Sequence, residues 1–319
     1  MYTIRKPMTP FEIIKCHGSG NDFIMVDTTR GATPVDIDWS AFARIACDRN
    51  RGIGSDGILL VVRNDKGVYG MDMLNPDGTH AEMCGNGIRC VARLAQERGY
   101  LDSKILYSAD REFNIEQTAP IAPGIETYAV EIPIALWSPS FAFYNSTETF
   151  VGKIIDELDS SLRFTALNLG NPHIVAEVES INMALLEQLG ERVKSLTELF
   201  PHGVNVSLYE CRSRRSIFVA TYERGAGITL SCGTAMTASA TAAALLNKVD
   251  AGERIEVRNR GGKVFCTTRN IESPITRLEG NATYNWLGEA TFMENTLNYA
   301  ITTHTHEEEL WQQLVQSIE

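Results

Sequence analysis

The sequence predicts a protein of two similar domains, each combining strands with helices. Three observations lead to this prediction. The chain has 319 residues, which is long enough for two domains. A strand–turn–strand pattern that opens at Phe11 starts again at Phe164. Two matching loops, Cys84-Gly85-Asn86 and Cys232-Gly233-Thr234, each open an alanine-rich segment whose apolar residues recur at helical spacing.

The intervals between these features indicate an internal duplication. Asn21 and Asn171, one in each turn, lie 150 residues apart, and Cys84 and Cys232 lie 148 residues apart. A nearly constant offset between like features is typical of a repeated unit. We expect the two units to bring their helix N-termini together across a cleft, which is where small molecules tend to bind.

In the first half, strand and helix patterns follow one another from residue 11 to residue 134. Predicted strands cover Phe11–Asp27 (interrupted by a Gly-rich turn), the segment after RGIGSDG, Gly70–Leu74, Lys104–Tyr107 and Tyr128–Ile134. Helices are predicted over Trp39–Asp48 and after Cys84. The Pro-, Ala- and Gly-rich segment Gln117–Thr127 is predicted to be a surface loop.

The second half repeats this order and ends in a segment of different character. Strand–turn–strand is predicted over Phe164–Val178, a helix over Ile181–Leu199, and two further strands over GVNVSLYE and SIFVATYE before Cys232. The acidic THTHEEE is predicted to be a solvated tail, followed by a short amphipathic helix at Leu310–Ile318. We predict domains at 1–135 and 136–284, with 285–297 returning to the first domain and 298–319 as a C-terminal tail.

Composition excludes several classes of partner and cofactor. A formal net charge of −11 argues against nucleic acid or an anionic membrane surface as a partner. There is no apolar run of about 20 residues and no signal-peptide core, so a cytoplasmic location is expected. The seven scattered cysteines are expected to be free thiols without zinc-ligand spacing, and we predict no metal. The GxGxxG match at Gly52–Gly57 precedes a strand rather than a helix, which argues against nucleotide binding.

The two cysteine loops favour acid–base chemistry by a pair of thiols. Both cysteines are predicted at helix N-termini, where unpaired N–H groups favour a thiolate or a bound carboxylate and lower the pKa of a thiol. Inverting the α-carbon of an amino acid requires a base on one face and an acid on the other. A thiolate opposite a thiol meets that need, and Cys84 and Cys232 are the candidate pair.

The sequence blocks around these residues resemble the diaminopimelate epimerase family. The matching blocks are HGSGNDF, RGIGSDG, NPDGTHAEMCGNGIRC, NLGNPHIV, GVNV and YERGAGITLSCGT, in family order between Phe11 and Glu294. The resemblance implies an α/β fold of two pseudo-symmetric domains, each a mixed β-sheet wrapped around a central helix. It also implies a homodimer that acts without a cofactor on diaminopimelate, in the synthesis of lysine and of cell-wall precursors.

The resemblance assigns roles to individual residues. Cys84 and Cys232 match the catalytic cysteines, with Glu223 and His173 as ancillary polar residues beside them. Gly85-Asn86 and Gly233-Thr234 match backbone donors to the reacting α-carboxylate. The remaining matches hold the substrate, in particular its distal amino-acid end: Asn21, Asn75, Asn171, Asn205 and Arg224, with Glu223 also suited to an ammonium group.

Two departures from the family pattern leave alternatives open. Thr79 stands where the family usually has Ser, and Ile228 stands where it usually has Glu. Ile228 allows a related two-cysteine racemase for another amino acid, and a non-catalytic amino-acid-binding protein is a third hypothesis. The proximity that catalysis demands would also make Cys84 and Cys232 prone to reversible oxidation to a disulfide.

Overall fold

Two copies of one strand pattern make up most of the fold. The computed structural model describes residues 9–31, 33, 36–81, 83–101, 103–143, 149–270 and 272–317. The elements of the first half are β1 (Phe11–Gly18), β2 (Asn21–Asp27), α1 (Trp39–Ala46), β3 (Gly57–Arg63), β4 (Tyr69–Leu74), α2 (Gly85–Glu97), β5 (Ile105–Ser108), β6 (Arg111–Gln117) and β7 (Thr127–Pro133). Those of the second half are β8 (Lys153–Ile155), β9 (Asp159–Asn168), β10 (Pro172–Glu177), α3 (Met183–Ser195), β11 (Asn205–Ser213), β12 (Ser216–Glu223), β13 (Gly227–Thr229), α4 (Gly233–Leu245), β14 (Ile255–Asn259), β15 (Gly262–Arg269) and β16 (Ile275–Asn281). The chain then continues as β17 (Thr283–Met293), β18 (Thr296–His304) and α5 (Glu307–Gln316).

Strand pairing confirms the duplication. In the first half, β1–β2 is antiparallel, β2–β3 parallel, β3–β4 antiparallel and β4–β5 parallel, and β5–β6 and β6–β7 are antiparallel. The strands β9, β10, β11, β12, β14, β15 and β16 repeat this order and these directions. The last strands of the two halves, β7 and β16, pair antiparallel and join the halves.

Each half wraps its mixed sheet around one central helix, as the α/β prediction requires. In α2 every residue from Gly85 to Ala95 is buried, and in α4 every residue from Gly233 to Ala244 is buried. A helix enclosed on all sides must carry apolar or small residues around its whole circumference, and the alanine-rich sequence of α4 meets that need. Side chains from both helices share one hydrophobic core.

The outer helices begin at side-chain caps and are shorter than their sequence patterns predict. The Asp38 carboxylate accepts a hydrogen bond from the Ala41 N–H and starts α1. The Asn182 side chain accepts from the N–H groups of Ala184 and Leu185 and starts α3. Both caps lie in extended backbone, so α1 begins at the predicted Trp39 and α3 begins at Met183, two residues after the predicted start. None of the helices among the described residues is long and apolar enough to cross a membrane.

The C-terminal segment differs from the predicted solvated tail. β17 pairs with β1, which returns the chain to the first half, and β18 pairs with β17. Trp311 of α5 is only 1% exposed and forms an apolar cluster with Ile121 and Ile125. The predicted helix at Leu310–Ile318 is present as part of α5, whereas the solvated-tail prediction for THTHEEE is wrong at Glu307, which begins α5 and pairs with the buried Arg93. The loop at 117–127 is more than a surface loop, because it and α5 bury each other.

Candidate active site

The N-termini of α2 and α4 meet at a cavity of about 840 Å3. Cys84 is the N-cap of α2 and Cys232 the N-cap of α4, with backbone angles of φ −132°, ψ 110° and φ −129°, ψ 111°. The two helix ends are in close contact, since a Cβ atom added to Gly233 would lie 2.7 Å from Asn86 Oδ1. The duplication thus places two thiols in the same backbone geometry at one cavity.

Most of the residues that the sequence assigns to the site line this cavity. They are Asn21, Asn75, Cys84, Gly85, Asn86, Asn171, Glu223, Arg224, Cys232, Gly233 and Thr234. His173 and Asn205 lie behind the wall, next to each other in register on β10 and β11. The structure therefore brings the predicted set together, with two members in supporting positions.

Burial dominates the environment of the Cys84 thiol. The Gly87 N–H donates to Cys84 Sγ at 3.3 Å, and Sγ lies 3.7 Å from Asn21 Oδ1. Burial raises the pKa of Cys84 to about 11, although N–H groups of the first helical turn act in the opposite direction. The prediction that the helix N-terminus leaves this thiol with a lowered pKa is wrong, because desolvation of the thiolate outweighs the helix-terminal donors.

Cys232 is buried as well and has an acidic neighbour. Burial raises the pKa of its thiol well above the usual value, and the adjacent Glu223 raises it further. Cys232 Sγ lies 3.4 Å from Thr234 Oγ1. As at Cys84, the predicted lowering of the thiol pKa is wrong here, so both thiols are protonated at neutral pH.

The Glu223 carboxylate is held at the end of β12. Burial raises its pKa, and a hydrogen bond from Thr229 Oγ1 to Oε1, 2.6 Å long, opposes that rise. The Cys232 thiol also donates to this carboxylate. Thr229 was missed by the sequence analysis; its only signal was its place in the matching block YERGAGITLSCGT.

His173 and Asn205 support residues at the cavity surface. His173 is fully buried, and its Nε2 lies 3.0 Å from Asn171 Oδ1. Burial, together with the nearby Arg224, lowers the pKa of His173 to about 3, so the ring is neutral at neutral pH. Asn205 Oδ1 accepts a hydrogen bond from the Arg224 N–H at 2.9 Å. Both side chains thus orient residues that face the cavity.

A sequence profile of the family described as diaminopimelate epimerase matches residues 13–114 and 165–285. A diaminopimelate epimerase of Clostridium acetobutylicum is 35% identical over 283 residues, covering 88% of this chain and 83% of the relative. A diaminopimelate epimerase of Enterococcus faecalis is 35% identical over 317 residues, covering 95% and 97%. The chain belongs to the diaminopimelate epimerase family. It is therefore an enzyme of the isomerase class.

Solved structures with low sequence identity share the fold. A phenazine biosynthesis protein of the PhzF family from Bacillus anthracis aligns with a TM-score of 0.63 at 17% identity. The alignment covers 89% of this chain and all of that one. At this identity the likeness concerns the fold alone.

The two departures from the pattern of the diaminopimelate epimerase family have different structural consequences. Thr79 retains the function of a hydroxyl, because Asn75 Nδ2 donates to Thr79 Oγ1 at 3.0 Å and Oγ1 donates to Asp77 at 2.6 Å. Ile228 is 38% exposed on β13 and lies outside the set of residues that line the cavity.

A charged network that the sequence analysis missed holds Asn21. Asp56 accepts from Asn21 Nδ2 at 2.8 Å and forms an ion pair with Arg49 at 2.7 Å. Burial would raise the pKa of Asp22, but hydrogen bonds from Arg49 and the Lys15 ion pair hold it at about 2. Asn21 Oδ1 is thereby directed toward Cys84 and Asn86. Asp56 stands in the matching block RGIGSDG, which was the available signal.

Proposed function

We propose that this chain interconverts LL- and meso-2,6-diaminopimelate by a cofactor-independent two-base mechanism. The observation that carries the proposal is the pair of N-cap cysteines, Cys84 and Cys232, in matching geometry at one cavity. The relatives named diaminopimelate epimerase support the choice of substrate. Such an activity would serve the synthesis of lysine and of peptidoglycan precursors.

The helix N-termini suit the reacting end of such a substrate. Cys84 and Cys232 cap the two helices, so the N–H groups of Gly85-Asn86 and Gly233-Thr234 belong to first turns that lack intrahelical partners. Negative charge that develops on the α-carboxylate during deprotonation is stabilised by such donors, each contributing about 3 kcal/mol. A carboxylate placed between the helix ends would hold the α-carbon between the two sulfur atoms.

The proton transfers balance within the pair of thiols. One cysteine loses its proton to solvent and, as thiolate, abstracts the α-proton of the substrate. The opposite thiol then donates its proton to the other face of the α-carbon. The first cysteine is then a thiol and the second a thiolate, and after product release proton exchange with solvent restores the starting state. The reverse reaction exchanges the roles of the two cysteines.

The distal end of the substrate would contact side chains of opposite charge. Arg224 lines the cavity and suits the second carboxylate, while the Asn75 and Asn171 amide oxygens suit an ammonium group. A substrate with a single zwitterionic end would make no use of these groups. This arrangement favours diaminopimelate over a smaller amino acid, and Ile228 gives little support to another substrate because it does not line the cavity.

Proton NMR in deuterated buffer under reducing conditions tests the proposal directly. With LL-diaminopimelate we expect loss of the α-proton signal together with formation of the meso isomer. Cys84→Ser and Cys232→Ser should each slow inversion at least about 100-fold, because removing a positioned acid or base costs this much. Cys211→Ser is the matched control, since Cys211 is a half-buried thiol that does not line the cavity.

Each outcome separates the hypotheses. Absence of exchange in the native chain would refute the diaminopimelate assignment, and a panel of other amino acids would then identify a related racemase. Calorimetric binding of diaminopimelate without any exchange would instead indicate a binding protein. Inversion that survives replacement of either cysteine would refute the two-thiol mechanism while leaving the substrate assignment intact.

A further inference from the structure

A buried cation lies below the N-terminus of α2. Arg89 is 0% exposed. Within the part of the chain that the structure describes, its guanidinium donates only to neutral oxygen atoms: Gly85 O, Asn86 Oδ1, Ser19 Oγ and Asn281 O. Arg93, one helical turn later, binds the carboxylates of Glu97 and Glu307 instead. Burying a charge without a counter-ion costs several kcal/mol, and we therefore asked what the Arg89 guanidinium contributes to the site.

The surrounding backbone is shaped to hold this guanidinium. A Cβ atom on Gly18 of β1 would lie 2.9 Å from Arg89 Nη2, and one on Gly280 of β16 would lie 2.8 Å from Arg89 Cζ. Side chains at either glycine would therefore displace the guanidinium. Two strands from different halves of the chain thus leave room for one charged group.

The duplicated half provides an internal comparison. Thr237 lies 148 residues after Arg89, which is the offset between the two cysteines. Thr237 Oγ1 donates to Gly233 O at 2.8 Å, and Arg89 Nη1 donates to Gly85 O at 2.8 Å. The carbonyl of the first helical residue is therefore hydrogen-bonded in both halves, by a cation in α2 and by a neutral hydroxyl in α4.

Replacement of a neutral hydroxyl by a guanidinium at this carbonyl affects the N–H donors at the start of α2. The Gly85 carbonyl and the Asn86 N–H belong to one peptide unit, so a charged donor on the carbonyl polarises that N–H more than a hydroxyl can. Arg89 also donates to Asn86 Oδ1 at 3.0 Å, and Asn86 Nδ2 donates to Asn21 Oδ1 at 3.3 Å. The guanidinium thus fixes the side chains around Cys84.

The two thiols differ in the charged groups near them, because Glu223 acts on both and Arg89 acts on Cys84. The thiols facing Arg89 are Cys84, Cys90 and Cys266, while the charged groups acting on Cys84 are Arg89 and Glu223. Glu223 is the charged group acting on Cys232, and it accepts the hydrogen bond of that thiol. A nearby cation favours a thiolate and a nearby anion disfavours one.

We propose that Arg89 is a positioning residue that makes Cys84 the more readily ionised of the two thiols. This proposal rests on the proposed function, in which one cysteine must be a thiolate and the other a thiol. In the direction that begins with Cys84 as the base, Cys232 is held protonated beside Glu223 and acts as the acid, and the reverse direction exchanges these roles. The directions of the thiol pKa values agree with this assignment. Burial raises the pKa of Cys84 to about 11, where Glu223 adds to the rise and Arg89 opposes it. Burial and Glu223 raise the pKa of Cys232 well above its usual value.

The test measures how alkylation of each cysteine by iodoacetamide depends on pH, with peptide mass spectrometry to separate the sites. Only the thiolate reacts, so the midpoint of each profile reports ionisation, whereas accessibility affects the plateau rate. In the native chain we expect the Cys84 midpoint below that of Cys232. Arg89→Gln should raise the Cys84 midpoint by about one pH unit, which means about tenfold less thiolate below the midpoint. The Cys232 midpoint should move by less than half as much.

Two further variants separate charge from packing. Arg89→Lys retains the cation and should keep the Cys84 midpoint near its native value. Thr237→Val removes the neutral hydroxyl that donates to Gly233 and also interacts with the Cys266 thiol, and it should leave the order of the two midpoints unchanged. Circular dichroism checks that each variant is folded.

The proposal is overturned by a lower midpoint at Cys232 in the native chain, a result that needs no variant. A folded Arg89→Gln variant with an unchanged Cys84 midpoint would overturn it as well, as would an equal shift at both cysteines. The assay contains no substrate, so its outcome is independent of the NMR experiment. Absence of diaminopimelate turnover would contradict the proposed function, and the midpoints would still decide the role of Arg89.

Discussion

Replacement of Trp311 by alanine should destabilise the protein far more than a change in a solvated tail would. The indole ring is 1% exposed, packs against Ile121 and Ile125, and lies 5.5 Å from the His17 ring between ring centroids. Gly262 is in close contact with it, since a Cβ atom there would lie 2.3 Å from Trp311 Cζ2.

The expected loss follows from burial and from the position of α5 in the chain. Truncating a buried aromatic side chain to alanine costs about 3–5 kcal/mol. Because α5 is the last helix, it can detach without unfolding the sheets, and this limits the loss in global stability to about 3 kcal/mol. Leu310→Ala is the matched control, since the neighbouring Leu310 is 37% exposed and should cost less than about 1 kcal/mol.

Urea unfolding followed by circular dichroism measures the free energies of both variants. Hydrogen exchange of the α5 amides shows whether detachment of the helix accounts for the difference. A loss below about 1 kcal/mol for Trp311→Ala would refute the inference that α5 is an integral part of the fold. If both variants lost the same free energy of unfolding, burial of the Trp311 side chain would not explain its contribution to stability.

Three further predictions concern the site. His173 has a pKa lowered to about 3 by burial, so below its unfolded value of about 6.5 the unfolded chain binds more protons. Between pH 7 and pH 5 the native chain should therefore lose about 2 kcal/mol of stability that a His173→Gln variant does not lose, and equal losses in urea unfolding would contradict the burial argument. Gly233→Ala places a methyl group 2.7 Å from Asn86 Oδ1. Because overpacking of this kind costs about 1–3 kcal/mol, we expect kcat to fall about 10- to 100-fold. An unchanged kcat would show that catalysis does not require contact between the two helix ends. Thr229→Val removes the hydrogen bond that lowers the pKa of Glu223, so the acidic limb of the pH profile of kcat/KM should move to higher pH. Thr229→Ser keeps the hydroxyl and should restore the native profile. An unchanged acidic limb would show that this carboxylate does not control the rate.

The duplicated architecture was predictable because its signals are local. Each cysteine loop combines an N-cap position with glycine and an alanine-rich helix, and the offset of 148 residues between Cys84 and Cys232 is visible without any structure. Strand pairing then confirmed the repeat. The segment after residue 296 was harder, because β18 is mostly exposed and shows no clear alternation of buried and exposed residues.

The sequence predicted most of the residues that line the cavity, but it did not predict the ionisation of their side chains. A helix N-terminus lowers the pKa of a thiol when water still solvates it, and this led to the wrong expectation for Cys84. The pKa of a thiol depends on how much solvent the whole fold removes, and at Cys84 and Cys232 burial by both halves is the largest influence. The partners of Asn21 and Glu223 were missed for a related reason, since Asp56 and Thr229 act through hydrogen bonds between side chains that only the fold brings together.

The sequence by itself determined the repeat, the two capping cysteines and the family, because each of these depends on residues close together in the chain or on a constant interval. Only the tertiary structure decided that α5 closes over Ile121 and Ile125, and that the buried Arg89 donates to neutral oxygen atoms below α2. These features depend on contacts between residues far apart in the chain, where burial and charge are set by neighbours that no local pattern specifies.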